Sequence, residues 1–152
     1  MDQDQKAFWN GLTGQVWAEL QETLDRMFRP IADLLVEAVL AGPGGQVLDV
    51  GCGAGGTTLA VARALGAQGR CVGIDISEPL VAAAWARAER DGVPARFILA
   101  DAQTHAFAPA GFDMVISRFG VMFFDDPVRA FANLRRAAKG GAGLRAVAWR
   151  GA

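Results

Sequence analysis

"QVLDVGCGAGGTT", residues 46–58, runs an apolar segment straight into four closely spaced glycines. Val47, Leu48 and Val50 read as a short buried strand, with Asp49 placed just before its end. Gly51, Gly53 and Gly55 let the backbone turn tightly and approach a ligand with no Cβ in the way. Residues 55–65 then read as a helix closed by Gly66, whose first turn offers free N–H groups and a positive dipole end to an anion. Gly51, Gly53 and Gly56 also satisfy the dinucleotide spacing GxGxxG, a weak signal taken alone because glycines can simply serve a tight strand-to-helix turn. The fold is therefore decided by whether the same unit recurs.

It does. "CVGID", residues 71–75, reads as a second strand, and Ser77 caps a helix that carries Pro79 in its first turn and reaches Asp91. "ARFILA" (95–100) and "FDMVIS" (112–117) read as strands three and four. Asp125 or Asp126 caps a further helix with Pro127 early in it and Val128, Phe131, Leu134 and Ala138 on one face. "KGG" (139–141) is expected to stop that helix, and "GLRAVAW" (143–149) to form a fifth strand. Upstream, Val16, Trp17, Leu20, Leu24, Met27, Ile31, Leu34, Leu35 and Ala38 recur at helical spacing. Pro30 is expected to divide this stretch into two helices, because proline suits a first turn and not an interior. Alternating strands and helices with right-handed crossovers predict an α/β, Rossmann-like three-layer sandwich around a mostly parallel sheet of about five strands. The whole chain is expected to be one domain, with residues 1–44 as a helical lid and 45–152 as the core.

Bulk composition excludes several classes. With 152 residues, 52% hydrophobic and 20% charged, the chain suits one globular domain with a real core. A net charge of −1 with scattered Lys and Arg gives no basic stripe for nucleic acid. The apolar runs are too short to span a bilayer, and "MDQDQKAFWN" is too polar for a signal peptide. The two cysteines, Cys52 and Cys71, lack metal-ligand spacing, so reduced thiols in a cytoplasmic protein are expected.

Ligands of open parallel sheets bind beyond the carboxyl ends of the strands, near the point where strand order reverses. Asp49, Asp75, Asp101 and Ser117 all fall at such ends, around the glycine turn. A carboxylate at the tip of a buried strand needs a hydrogen-bonding partner. Asp75 is placed to accept from both hydroxyls of a ribose.

The combination of "VLDVGCGAGGTT", "GIDIS" (73–77), "ILADAQ" (98–103) and "FDMVISRFGVMFF" (112–124) resembles the class I S-adenosylmethionine-dependent methyltransferases. Within them it is similar to the small-molecule branch that includes ubiquinone and menaquinone biosynthesis enzymes, and the likeness extends to the lead-in "FWNGLTGQVWAEL". An acid followed by glycines at alternate positions, Asp49, Gly51, Gly53 and Gly55, is that family's pattern; nicotinamide enzymes usually carry an apolar residue where Asp49 stands. The resemblance implies S-adenosylmethionine as methyl donor and S-adenosylhomocysteine as product. It implies that Gly51, Cys52, Gly53, Ala54 and Gly55 wrap the methionine part and ribose, that the cofactor's carboxylate lies by the following helix, and that Asp75 holds the ribose. Ile76 would pack on the adenine, Asp101 accept from its amino group beside the Ala102 amide, and Ser117 face the methionine end. Trp9 and Trp17 lie over the cofactor as a lid or else pack the core.

No catalytic side chain is assigned. His105, the single histidine, sits in a loop and reads as solvated in preference to a general base, and Asp113 as structural or solvent-facing. Phe119, Met122, Phe123 and Phe124 line an acceptor pocket or pack a helix on the sheet, with neither favoured. Full-length members of the family continue past strand five with a helix and an antiparallel pair, so the likeness implies a chain truncated there, with those antiparallel strands missing. The exposed edge of strand five would then invite a second copy, giving a homodimer through that edge or by segment exchange. Three functions stay open: methyl transfer to a small-molecule acceptor, a non-catalytic binding or oligomerising module, and a nicotinamide-dependent oxidoreductase. The last lacks the common catalytic tyrosine, since the chain contains none.

Overall fold

The computed structural model describes residues 3–151. Five strands, β1 (Gln46–Val50), β2 (Arg70–Asp75), β3 (Arg96–Leu99), β4 (Phe112–Arg118) and β5 (Ala138–Val147), form one sheet in the order β3-β2-β1-β4-β5. Every pairing is parallel. Strand order reverses at β1, so the groups following β1 and β4 border the crevice where such sheets bind ligands.

Helices cover both faces because successive strand residues are apolar on both sides. Val47, Cys71, Met114 and Ile116 pack with Leu35 and Val39 of α3 (Gln21–Leu40), Leu59 and Leu65 of α4 (Gly56–Leu65), and Val81 and Ala84 of α5 (Glu78–Asp91). Their neighbours Leu48, Val50, Ile74 and Val115 pack on the other face with Phe107 and with Leu134 and Ala137 of α6 (Pro127–Ala137). The expected three-layer α/β sandwich is thus the observed one.

Local chemistry sets the helix ends. Ser77 Oγ accepts from the Leu80 amide at 3.5 Å to start α5, and Gly92 closes it at φ 64°. Of the two candidate caps for α6, Asp126 serves, its carboxylate accepting from the Arg129 amide at 3.0 Å. α4 begins differently, after Gly55 in the left-handed region at φ 84°, with no side-chain cap.

Two expectations fail. The lead-in contains three helices, not two: α1 (Gln3–Asn10), α2 (Leu12–Glu19) and α3. They divide at Gly11 and Leu20, while Pro30 lies inside α3. Proline removes one backbone hydrogen bond there. Burial of Phe28, Ala32, Leu35 and Val39 on both sides of it holds the helix together regardless. The second failure is at β5, which begins at Ala138 and takes in the "KGG" segment, ending at Val147 ahead of Trp149. A register shift opposite Phe112 and Met114 absorbs the glycines, with Gly141 at φ 77°, so they bend the strand without delaying it.

Candidate functional site

A cavity of about 410 Å³ opens at the carboxyl ends of the strands. Its floor is the turn from Val50 to Ala54, its sides come from the tips of β2, β3 and β4, and α1 to α3 lie across it.

The β2 side is polar and ordered. Asp75 Oδ2 accepts from the Gly53 amide at 2.9 Å and Oδ1 from the Ser77 amide at 2.9 Å. A carboxylate offers about four acceptor positions, so these two amides do not exhaust its capacity to accept from a ligand. Burial pushes the Asp75 carboxyl above its ordinary range, opposed by the Ser77, Gly53 and Ile76 amides. Next to it, Asp101 accepts from the Gln103 amide at 2.9 Å, and Ile76, Leu80, Ala100 and Ala102 form an apolar slot.

Glycine is required in the turn for two different reasons. Gly51 has φ +69°, and a Cβ there would stand 2.5 Å from Gly120 Cα. Gly53 has φ +53° with nothing within 4 Å of a Cβ, because that direction is the open cavity. A side chain at Gly53 would fill the space a ligand needs.

Asp49 is fully buried and does not line the cavity. The Thr58 hydroxyl donates to its Oδ2 at 2.7 Å, tying β1 to α4. Burial raises the Asp49 carboxyl to about 6, against the Thr58 hydrogen bond and the charge of Arg118, and with the charge of Asp75. Ser117 is equally buried: its hydroxyl donates to the Val50 carbonyl at 2.8 Å and accepts from the Val121 amide at 3.2 Å, so it welds the turns after β1 and β4. Gly55 packs against Phe97 and Ala84. The other expected residues, Gly51, Cys52, Gly53, Ala54, Asp75, Ile76, Asp101, Ala102 and Trp17, all line the cavity. Burial, with the nearby Asp75 and Asp49 charges, pushes the Cys52 thiol well above its ordinary range, which removes it as a nucleophile.

Opposite β2 the wall is aromatic. Trp9 meets Trp17 edge-on at 5.7 Å and Phe123 at 5.6 Å. Phe119 stacks on Trp149 at 4.7 Å and 5°, and Phe28 meets Phe119 at 5.4 Å. Phe119 holds φ +67°, an uncommon conformation for a bulky residue. Phe123 and Phe124 join it in the wall, whereas Met122 lies outside and its sulfur accepts from the Trp149 amide at 3.2 Å. Trp9 also belongs to the lining, so the two lead-in tryptophans lie over the cavity. His105 is not in the lining; its ring packs on Phe107 at 4.6 Å. Asp113 is structural, accepting from the Gln46 amide at 2.9 Å and from Lys139 Nζ at 3.0 Å.

Three charged residues were not anticipated. Arg87 of α5 donates to the Ala54 carbonyl at 2.8 Å and to the Asp25 carboxylate of α3. Asp25 in turn packs against Gly56, so a carboxylate of the chain itself stands at the start of α4. Arg118, the last residue of β4, lines the cavity with its guanidinium over the Phe28 ring at 5.3 Å. Asp25 and Arg87 lie within helical patterns and carry no local signal. Arg118 does carry one, a charge at the tip of an apolar strand, the same signal that marked Asp75.

A parallel sheet that presents a ribose-type acid, a glycine turn and an aromatic wall at one edge is the architecture of class I S-adenosylmethionine-dependent methyltransferases. Residues 47–141 match the family model described as "Methyltransferase domain", and the chain belongs to that family. It is 39% identical over 100 residues to nocamycin O-methyltransferase of Saccharothrix syringae, covering 65% of this chain and 36% of that protein. It is 32% identical over 123 residues to aklanonic acid methyltransferase DauC of a Streptomyces species, covering 78% of this chain and 56% of that one. Among solved structures, an S-adenosylmethionine-dependent methyltransferase from Aquifex aeolicus superposes with a TM-score of 0.69 at 26% identity, covering 76% of this chain and 64% of that one. The chain spans about a third to a half of the length of the curated relatives it matches.

Proposed function

We propose that this chain binds S-adenosylmethionine across the ends of β1 to β4 and takes part in transferring its methyl group to a small-molecule acceptor. The observation that carries the reading is Asp75, held by the Gly53 and Ser77 amides in the lining of the cavity. Asp75 would receive the ribose hydroxyls, the slot of Ile76 and Ala102 the adenine, and Asp101 its amino group. Gly51 to Ala54 would pass under the methionine part. Asp25 gives the start of α4 a negative charge, which suits the ammonium of that part and not its carboxylate.

When bound, the cofactor supplies a sulfonium-activated methyl that an acceptor attacks in line while the S–C bond breaks and its electron pair stays on sulfur. The protein's part in such a reaction is positioning and exclusion of water, with no obligatory nucleophile. Trp9, Trp17, Phe119, Phe123 and Phe124 supply a dry wall for that purpose. Residues 1–44 act in this reading as the cover and 45–152 as the core.

Calorimetry with S-adenosylmethionine and S-adenosylhomocysteine, followed by methyl transfer to a panel of small phenols and acids, tests the proposal. Binding of both with turnover is the expected result. Binding without turnover makes this stretch a donor-binding module, and binding of NAD instead of either overturns the cofactor assignment.

Among the described residues no helix is long and apolar enough to cross a membrane, and Cys52 and Cys71 are free and buried. The reduced thiols support a cytoplasmic location. The outer edge of β5 pairs with no other strand among the described residues. That open edge supports a homodimer, and sedimentation equilibrium of the purified chain tests it: a monomer at all concentrations rejects it.

A further inference from the structure

The cavity holds one cation, Arg118, among its lining residues; the charge of Arg118 reaches the buried Asp49, whose carboxylate is already engaged by the Thr58 hydroxyl. None of the ion pairs among the described residues includes Arg118. Its guanidinium instead lies over the Phe28 ring at 5.3 Å. The carboxylates of the same cavity are engaged elsewhere: Asp25 by Arg87, Asp75 by the Gly53 and Ser77 amides, and Asp101 by Gln103. A planar cation placed over an aromatic ring, half-buried and in the lining of a largely apolar cavity, is a preorganised receptor for a flat anion.

Its position says which ligand that is. Asp75 and Asp101 stand at the tips of β2 and β3, on one side of the glycine turn, whereas Arg118 ends β4 on the other. Around Arg118 stand Phe28, Phe119 and Trp149, joined at 5.4 Å and 4.7 Å. This aromatic corner is the part of the cavity that the adenosyl group leaves over.

We infer that Arg118 and the Phe28–Phe119–Trp149 corner select a planar acceptor carrying an ionised oxygen acid, a carboxylate, enolate or phenolate. The inference rests on the methyl-transfer reading for its term "acceptor", but the anion site itself does not depend on it. An acceptor that arrives ionised also needs no proton removed at the moment of transfer, which agrees with His105 lying outside the lining.

The test is calorimetry of the full chain, with and without S-adenosylhomocysteine, using 2-naphthoate and its neutral counterpart 2-naphthamide. Naphthoate should bind about tenfold or more tightly than the amide, as expected for a charge-assisted pair in an apolar site. Arg118→Met, which keeps an apolar stem over Phe28, should erase that preference while leaving affinity for S-adenosylhomocysteine within about twofold. Arg118→Lys should retain part of it, since the charge remains without the planar fork. Equal binding of acid and amide overturns the inference. So does a matching loss of S-adenosylhomocysteine affinity in Arg118→Met, which would make Arg118 the partner of the cofactor's own carboxylate. Failure of the wild type to bind S-adenosylhomocysteine rejects the cofactor reading instead, and the cofactor-free arm still decides the anion site.

Discussion

The Gly53 amide donates to Oδ2 of Asp75 across 2.9 Å, so the turn after β1 and the acid at the tip of β2 hold each other in place. Replacing Asp75 by alanine should weaken S-adenosylmethionine binding by about 1–3 kcal/mol, the scale for losing hydrogen bonds to a charged acceptor. Cooperative melting should persist, because the residue stands at a strand tip. Asp75→Asn keeps one acceptor oxygen and should fall between. Unchanged affinity in the alanine variant removes the ribose assignment.

Asp49 makes stability depend on pH. Its folded carboxyl titrates at about 6, above the ordinary 3.8, so the folded chain binds a proton over a window in which the unfolded chain has lost it. Stability from this group is full below about pH 4 and is lost as the pH rises through about 6. In urea titrations across that window, the wild type should lose more stability with rising pH than Asp49→Asn, by up to about 3 kcal/mol. Parallel pH profiles for the two proteins would show that Asp49 titrates normally.

Gly51 and Gly53 should separate stability from binding. Gly51→Ala combines a left-handed backbone with a collision on Gly120, and should cost about 2–4 kcal/mol in chemical denaturation. Gly53→Ala meets no protein atom and should cost only about 1 kcal/mol of stability. Its methyl enters the ligand space, so cofactor affinity should drop by more than stability does. Equal effects from the two variants would contradict this geometry.

Arg87→Met removes both the ion pair to Asp25 and the hydrogen bond to the Ala54 carbonyl. With Arg87 only 12% exposed, the loss should amount to about 1–3 kcal/mol of stability. Hydrogen exchange should quicken at Ala54 and along the first half of α3 and leave β4 and β5 unaffected. A uniform change across the sheet would mean that the pair does not act locally.

Sequence disclosed the parts of this fold that are written locally. The run from Val47 to Gly55 carries its own turn chemistry, and Ser77 with Pro79 carries a helix start, so β1, β2, α4 and α5 follow from a few residues each. Pro30 shows the limit: its propensity favours a break, but buried residues on both sides in α3 override it. The glycines at 140 and 141 mislead in the same way, because the register shift beside β4 accommodates them. For the site, Asp75, Asp101 and the turn were legible as polar groups at strand tips. Asp49 and Ser117 share that signature yet point into the protein, and only the alternation of the completed sheet separates inward from outward. The Arg87–Asp25 clasp joins residues 62 positions apart and has no trace in either segment.

The approach of Gly51 to Gly120 has a bearing on how the site can diversify. With no side chain between them, and a Cβ on Gly120 standing only 2.7 Å from Gly51 Cα, the distance separating the proposed donor cradle from the opposite wall is fixed by main chain alone. Rotamer changes at Phe119, Phe28 or Trp149 can remodel what is admitted on that wall without retuning how the donor is grasped. A lineage built on this scaffold is free to exchange one clientele for another while its reagent stays in register.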